Sequence, residues 1–281
     1  LQKNTSMISN EEIAKRISEN NRKQKQLGHY FGGVFAYEGE CYWNIDRLPF
    51  LEERLIALGA NKSNQSSILK RKSSTDKLQS IISGMTLEVI FSARSPYSYL
   101  ALPQLIEFRK KFPVKIVYRP ILPMVMRGMT INREKQLYIV HDCKRVADKK
   151  GIPFGNIADP LGKAVERCYS LFQHVQENGK EEEYFNTFLK AVWAEGQHGY
   201  LTKTLKNIVE KIGLNWQEAK TKLDNNEWHQ IIEKNRQALY AQGKWGVPTM
   251  ILKNQNEETV LSVWGQDRIW LIEEEIHKMN S

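Results

Sequence analysis

Two stretches of this chain repeat each other, and the repeat narrows the folds open to it more than any other feature. The first runs from Gly28 to Leu48 and holds Gly33-Val-Phe-Ala-Tyr37, then Cys41-Tyr-Trp43 and Asn44-Ile-Asp46-Arg47. The second runs from Gly243 to Ile269 and holds Pro248-Thr-Met-Ile-Leu252, then Ser262-Val-Trp264 and Gly265-Gln-Asp267-Arg268. With six extra residues in the second hairpin, Trp43 falls on Trp264 and Asp46-Arg47 on Asp267-Arg268. Downstream, Leu48, Leu51 and Leu55 match Ile269, Ile272 and Ile276, spaced as one face of a helix. Upstream, each copy follows a polar helical stretch in which asparagine (Asn20, Asn235) suggests a turn. Each copy therefore reads as helix, strand, turn, strand, helix, with Asp46 and Asp267 expected as N-caps of the last helix.

Only the second copy has a further half upstream. Leu87–Phe91 is a short β-rich run, and Pro96 opens a helical stretch to about Lys111. Proline suits the first helical position, where its missing N–H has no partner to lose. Val114–Tyr118 then gives a second strand, closed by Pro120. Strand, helix, strand implies parallel pairing through a crossover. About 125 residues of helical pattern separate this half from Pro248. Helices are expected over 136–150, 164–175, 182–195, 201–212 and 216–223, with Phe185, Phe188, Leu189 and Trp193 as the core of the insert.

The string Phe91-Ser-Ala-Arg-Ser95-Pro-Tyr-Ser98, with Trp245-Gly-Val-Pro-Thr249 and Trp264-Gly-Gln-Asp-Arg268, resembles the 2-hydroxychromene-2-carboxylate isomerases and kappa-class glutathione transferases, in the DsbA-like branch of the thioredoxin superfamily. The resemblance covers Leu87 to the C-terminus. It implies an α/β chain: a thioredoxin-like fold with a large inserted α-helical domain. Residues 85–123 and 244–281 would form the thioredoxin-like part and 124–243 the insertion. Residues 1–60 would be a partial, degenerate thioredoxin-like hairpin and helix repeat, joined by a basic polar linker over 61–84. The first copy has Gly33 where the second has Pro248 and carries no Ser-Pro motif, so a site is expected only in the second.

A thioredoxin-like fold does its chemistry where its first helix begins. A dithiol oxidoreductase needs cysteine there, because only a thiolate attacks a disulfide. Here Ser95 and Ser98 hold those places, so thiol–disulfide exchange by this site is not expected. The resemblance implies glutathione as cofactor or substrate, with Ser95 donating a hydrogen bond to its sulfur. Capping the helix is the alternative role for Ser95, compatible with the first. It further implies a cis peptide at Pro248 (a trans, strand-initiating proline being the alternative) and pairing of the Val247 backbone with the cysteinyl part of glutathione. Gln266 and Asp267 match positions that hold the γ-glutamyl end, and a plain N-cap is again the alternative for Asp267. Arg94, Asn132, Tyr138, Asp142 and Arg145 are candidates for a second-substrate pocket. Arg94, a charge directly before Ser95, departs from the family pattern and is expected to repel or redirect substrates. His141, His198 and His229 show no ligand-like spacing and are read as surface or packing residues.

The leading expectation is a glutathione-dependent isomerase or transferase acting on a small aromatic or hydrophobic molecule. A catalytically inactive module binding peptides or partner proteins is the alternative, and an oxidoreductase relying on cysteines outside this chain is a third. Composition narrows the rest. The net charge of +9 invites a nucleic-acid reading. Much of the excess, however, sits in Lys62, Lys70, Arg71, Lys72 and Lys77, opposed only by Asp76, in a Ser/Asn/Gln-rich stretch that reads as solvated linker. No nucleic-acid partner is expected. Neither is a membrane partner, since no run approaches the roughly 18–20 apolar residues of a spanning helix. No apolar leader follows a basic start, although a chain beginning at Leu1 leaves processing or truncation open. Cys41, Cys143 and Cys168 have no metal-type or CxxC spacing, so no metal is expected and the thiols read as unpaired packing residues in a reducing, cytoplasmic setting. A homodimer is left open.

Overall fold

The computed structural model describes residues 8–62 and 84–280, so most of the expected 61–84 linker lies outside the described residues. Among those, residues 8–62 with 132–138 form one unit, and the remainder forms a second.

In the second unit the apolar run Thr86–Phe91 becomes β3, buried from Leu87 to Phe91. A strand apolar on both faces belongs inside a sheet, and β3 lies at an inner position of a four-stranded one. Helix α3 (Pro96–Lys111) carries the chain across to β4 (Lys115–Pro120), which pairs parallel with β3, Leu87 opposite Ile116. On the other side β3 pairs antiparallel with β5 (Thr249–Lys253), Ile90 opposite Thr249, and β5 pairs antiparallel with β6 (Thr259–Trp264). The order is β4-β3-β5-β6. One sheet face sets Leu87, Val89, Met250, Leu252 and Val263 in a core with Leu105, Phe108 and Phe112, and with Ile269, Ile272 and Ile276 of α11 (Ile269–Met279). On the other, Ile90 and Ile251 pack with Leu239 of α10 (Trp228–Ala241). Glu88 is 3% exposed within the sheet, held by Arg119 at 2.5 Å and Lys253 at 3.0 Å. Paired cations are what make a buried carboxylate tolerable.

Between β4 and β5 the insert comprises α4 (Arg133–Lys150), α5 (Lys163–Ser170), α6 (Phe172–Glu177), α7 (Glu181–Trp193), α8 (Thr202–Lys211), α9 (Trp216–Lys220) and α10. The single helix expected over 164–175 is two. At the break, Ser170 Oγ donates to the Arg167 carbonyl and accepts the Asp224 amide from outside the helix. A serine side chain competing for backbone groups is a known way to interrupt a helical ladder. Phe185, Phe188 and Leu189 are fully buried and Trp193 is 5% exposed, as expected of the insert's core.

The first unit contains α1 (Asn10–Gln26), β1 (Val34–Tyr37), β2 (Glu40–Trp43) and α2 (Leu48–Ala57). Glu38 and Gly39, both at positive φ, make the tight hairpin turn between the two strands. This order repeats α10, β5, β6, α11, down to a shared closing bond. The Asn44 amide donates to the Gly33 carbonyl at 2.9 Å, and the Gly265 amide to the Pro248 carbonyl at 2.8 Å. Two expectations need correction. Asn20 and Asn235 mark no turn, since both lie within continuous helices. Asp46 and Asp267 are not N-caps of the final helices. A short 3₁₀ turn (Ile45–Arg47, Gln266–Arg268) comes first, so Arg47 and Arg268 take the cap positions with no capping side chain.

Candidate functional site

Sheet register gathers the predicted residues at one end. Ile90 stands opposite Thr249, so the loop leaving β3 (Ser92–Ser95) and the loop entering β5 (Val247–Pro248) sit side by side. Thr249 stands opposite Trp264, and the Gly265–Pro248 bond brings the turn of Gln266 and Asp267 to the same end. A hydrogen bond of 2.9 Å from Gln104 Nε2 to Gln266 Oε1 ties α3 to that turn. Ser95, Val247, Pro248, Gln266 and Asp267 thus converge, and the Val247–Pro248 peptide is cis, as expected.

Ser95 is the N-cap of α3. Its Oγ accepts the Ser98 amide at 3.2 Å, and its carbonyl accepts the Tyr99 amide. The loop before it is held from the insert. The Ala93 amide donates to the Tyr169 hydroxyl at 3.0 Å, that hydroxyl donates to the Ile121 carbonyl at 2.9 Å, and Trp193 Nε1 donates to the Ala93 carbonyl at 3.1 Å. Burial pushes the Tyr169 hydroxyl well above its ordinary pKa and keeps it neutral. Tyr99 donates to the Pro153 carbonyl at 2.6 Å, and burial, with Glu195 adding to it, pushes its hydroxyl up to about 12. The helix start that carries Ser95 is fixed by neutral, buried donors and acceptors.

Arg94 makes a two-pronged pair with Asp159, at 2.8 and 2.7 Å. Its charge is matched by Asp159 within the insert. Asp142, fully buried, accepts the Tyr97 hydroxyl at 2.7 Å and pairs with Arg145 at 3.4 Å. One pocket candidate, Asp142, therefore meets Tyr97, two places from Ser95, and a second, Arg145, pairs with Asp142. Asn132 and Tyr138 belong to the first unit. There Asn132 Oδ1 accepts the Lys135 amide at the start of α4, and the Tyr138 hydroxyl accepts the Trp43 amide at 3.2 Å. His229 stacks on Trp228 and His198 lies beside Tyr200.

Gln266 is 2% exposed and its side chain faces protein on both sides, Gln104 at one end and the Asp267 carboxylate at the other. The loop ahead of β5 carries two exposed rings. Trp245 and Trp264 meet at 5.0 Å between centroids and are 39% and 44% exposed. Beneath them Gly246 touches the Trp264 indole so closely that a Cβ would lie 2.2 Å from it. Gln104 carried no sequence signal, because its partner is 162 residues away. Tyr97 was visible inside the Ser-Pro motif, but nothing in the sequence paired it with Asp142.

Among the described residues no cluster of three or more His, Cys, Asp or Glu is arranged to hold a metal ion, and no helix is long and apolar enough to cross a membrane. Cys143 and Cys168 are buried and take part in no disulfide, and burial pushes the Cys168 thiol far up.

A βαβ unit, an antiparallel β5–β6 pair and a helical insert, with serine in place of the dithiol at the start of α3, define a thioredoxin-like protein of the inserted-helix type. The chain belongs to the DSBA-like thioredoxin domain family, whose model matches residues 86–277. Among solved structures it is similar to a 2-hydroxychromene-2-carboxylate isomerase, with 24% identity, a TM-score of 0.57, and coverage of 69% of this chain and 95% of that one. It is also similar to the cytosolic disulfide reductase DsbM from Pseudomonas aeruginosa, with 16% identity, a TM-score of 0.54, and coverage of 70% and 100%. The same reductase with GSH matches at 15% identity and a TM-score of 0.51, covering 68% and 99%. At these identities the likeness is one of fold. No curated protein sequence matches the chain.

Proposed function

We propose that the chain binds glutathione at the end of the sheet where Ser95, Val247 and Asp267 converge, and works as a glutathione-dependent isomerase or transferase on a small aromatic or hydrophobic molecule. The observation that carries this reading is Ser95. Its oxygen already accepts the Ser98 amide, and a serine hydroxyl has one O–H left to donate. A donor at the N-terminus of a helix of 16 residues favours a thiolate over a thiol. The donor set also fits the rest of the tripeptide. The Val247 backbone at the mouth of β5 suits an extended strand-like ligand, and the Asp267 carboxylate suits the γ-glutamyl ammonium. When bound, glutathione supplies a thiolate nucleophile for an activated double bond, and the fate of the adduct separates isomerase from transferase. In support, a structure sharing this fold, the DsbM reductase, is known with GSH. Ser95 and Ser98 cannot themselves exchange disulfides, since a hydroxyl does not do that chemistry.

The test is calorimetric titration of glutathione into the folded chain and its Ser95→Ala and Asp267→Ala variants. Saturable binding, weakened by both changes, is expected. No binding at millimolar glutathione in a well-folded sample would overturn the reading. A second reading would then stand, a module binding extended peptides. It has its own observation in Trp245 and Trp264, two exposed rings beside the Val247–Pro248 segment.

A further inference from the structure

Gln266 and Asp267 do different work from the neighbours they are in sequence. Gln266 lies buried in a hydrogen-bonded chain that begins at the backbone of α3. Gln104 Nε2 donates to the Leu100 carbonyl at 2.6 Å and to Gln266 Oε1 at 2.9 Å. Gln266 Nε2 then donates to Asp267 Oδ1. The direction of every link is forced from both ends. A backbone carbonyl only accepts, so Gln104 must turn its NH₂ toward Leu100 and Gln266. Gln266 must then turn its oxygen inward and its NH₂ outward. The only partner such an arrangement accepts at position 267 is an acceptor, and a carboxylate is one. Neither glutamine can rotate its amide without setting like against like in a buried place, which is costly.

We propose that Gln104 is a positioning residue: acting through Gln266, it holds the Asp267 carboxylate in the orientation that receives the ammonium group of a γ-glutamyl ligand. This rests on the reading of the site as a glutathione site and goes beyond it, since Gln104 touches no ligand. The first copy shows what is missing without the relay. The position matching Gln266 holds Ile45, 64% exposed, which has no amide to pass an orientation on to Asp46.

The experiment compares glutathione with its analogue lacking the α-amino group, by calorimetry, in the full chain and in Gln104→Met, Gln104→Glu, Asp267→Asn and the Gln104→Met/Asp267→Asn pair. A charge-assisted contact gives the wild type a preference for glutathione on the order of tenfold or more. Gln104→Met is expected to lose most of that preference while its affinity for the analogue stays put. Gln104→Glu keeps the shape but asks Gln266 for the opposite amide face, so it should lose at least as much. Adding Gln104→Met to Asp267→Asn should change nothing further, because the relay has nothing left to orient. A merely structural Gln104 would lower both affinities together, and that result would overturn the proposal, as would an intact preference in both Gln104 variants. An intact preference in Asp267→Asn would overturn it at its end point while leaving glutathione binding in place. Binding of neither ligand by the wild type would overturn the functional reading and this inference with it. Melting curves on each variant separate loss of fold from loss of preference, and Gln104→Glu keeps the test open should the Met variant unfold.

Discussion

The helix α11 buries Ile269, Ile272 and Ile276 at 7%, 0% and 0% exposure, whereas α2, with Leu48, Leu51 and Leu55 at matching places, buries no residue. The two helices carry the same apolar spacing and follow hairpins closed by the same bond. What differs is what stands opposite them. The second copy has β3, α3 and β4, and its isoleucines meet Leu105, Phe108 and Phe112. Among the described residues the first has no such half, and Phe35, Ile45 and Leu58 are left 45%, 64% and 51% exposed. Periodicity specifies which face of a helix is apolar. Burial, and the stability that comes with it, needs a partner.

Paired substitutions turn this comparison into numbers. Ile272→Ala removes a fully buried side chain and should cost about 3–4 kcal/mol, while Leu51→Ala, half-buried, should cost about 1 kcal/mol or less. Thermal and denaturant melts of the two variants check this directly. Equal losses would mean that the first copy has a core of its own. Next comes the ground beneath the tryptophans. In the first copy Trp43 stacks on the ring of Phe31 at 4.9 Å, while in the second Trp264 lies on Gly246, the matching residue. Gly246→Ala should overpack that contact and cost about 2–3 kcal/mol, or drive Trp264 outward with a red-shifted tryptophan emission. Phe31→Ala, at a ring already 38% exposed, should stay within about 1 kcal/mol of wild type.

Asn235 and Asn20 make the third pair. Asn235 is 4% exposed, its Nδ2 donating to the Pro120 carbonyl at 2.9 Å and its Oδ1 accepting from Arg119 at 3.3 Å. Asn235→Ala strands a buried carbonyl and should cost about 1–2 kcal/mol. Asn20→Ala, on the exposed face of α1, should be neutral or slightly stabilising, since alanine is the better helix former, by about 0.5 kcal/mol. A loss at Asn20 as large as at Asn235 would contradict the exposure of α1.

The asparagine pair also shows how far the sequence could be read. The repeat, the βαβ half and the serine-for-cysteine start of α3 were legible, because each rests on local periodicity or contiguous residues. The turn expected at Asn235 was not there, because its two tertiary bonds outweigh asparagine's taste for turns. The N-caps expected at Asp46 and Asp267 were displaced by a single 3₁₀ turn, a shift of register that propensity does not resolve. Ser95, Val247, Pro248, Gln266 and Asp267 could be picked out by contiguous motifs, and β-sheet register places them at one end of the sheet. Gln104 and the Tyr97–Asp142 bond were not legible, since each joins distant segments whose approach only the folded chain decides.

The smallest expected effect tests whether burial in the complete copy reaches its charges as well as its isoleucines. On α11, burial raises the Glu273 carboxyl above its ordinary range, with Lys111, His277 and Lys150 pulling it back down. A folded-state value above the unfolded one, about 4.3, means that the folded chain holds this proton more tightly. Its contribution to stability is therefore fully present below that unfolded value and is lost as pH rises through the folded one. Glu273→Gln removes the titration. The variant should melt slightly above wild type at pH 7, and the two curves should converge by about pH 3, where both side chains are neutral. A gap that persists at pH 3 would assign the gain to packing. A variant less stable than wild type at pH 7 would show that the basic residues around Glu273 outweigh its burial, and that even in the complete copy this helix keeps one face governed by solvent and charge.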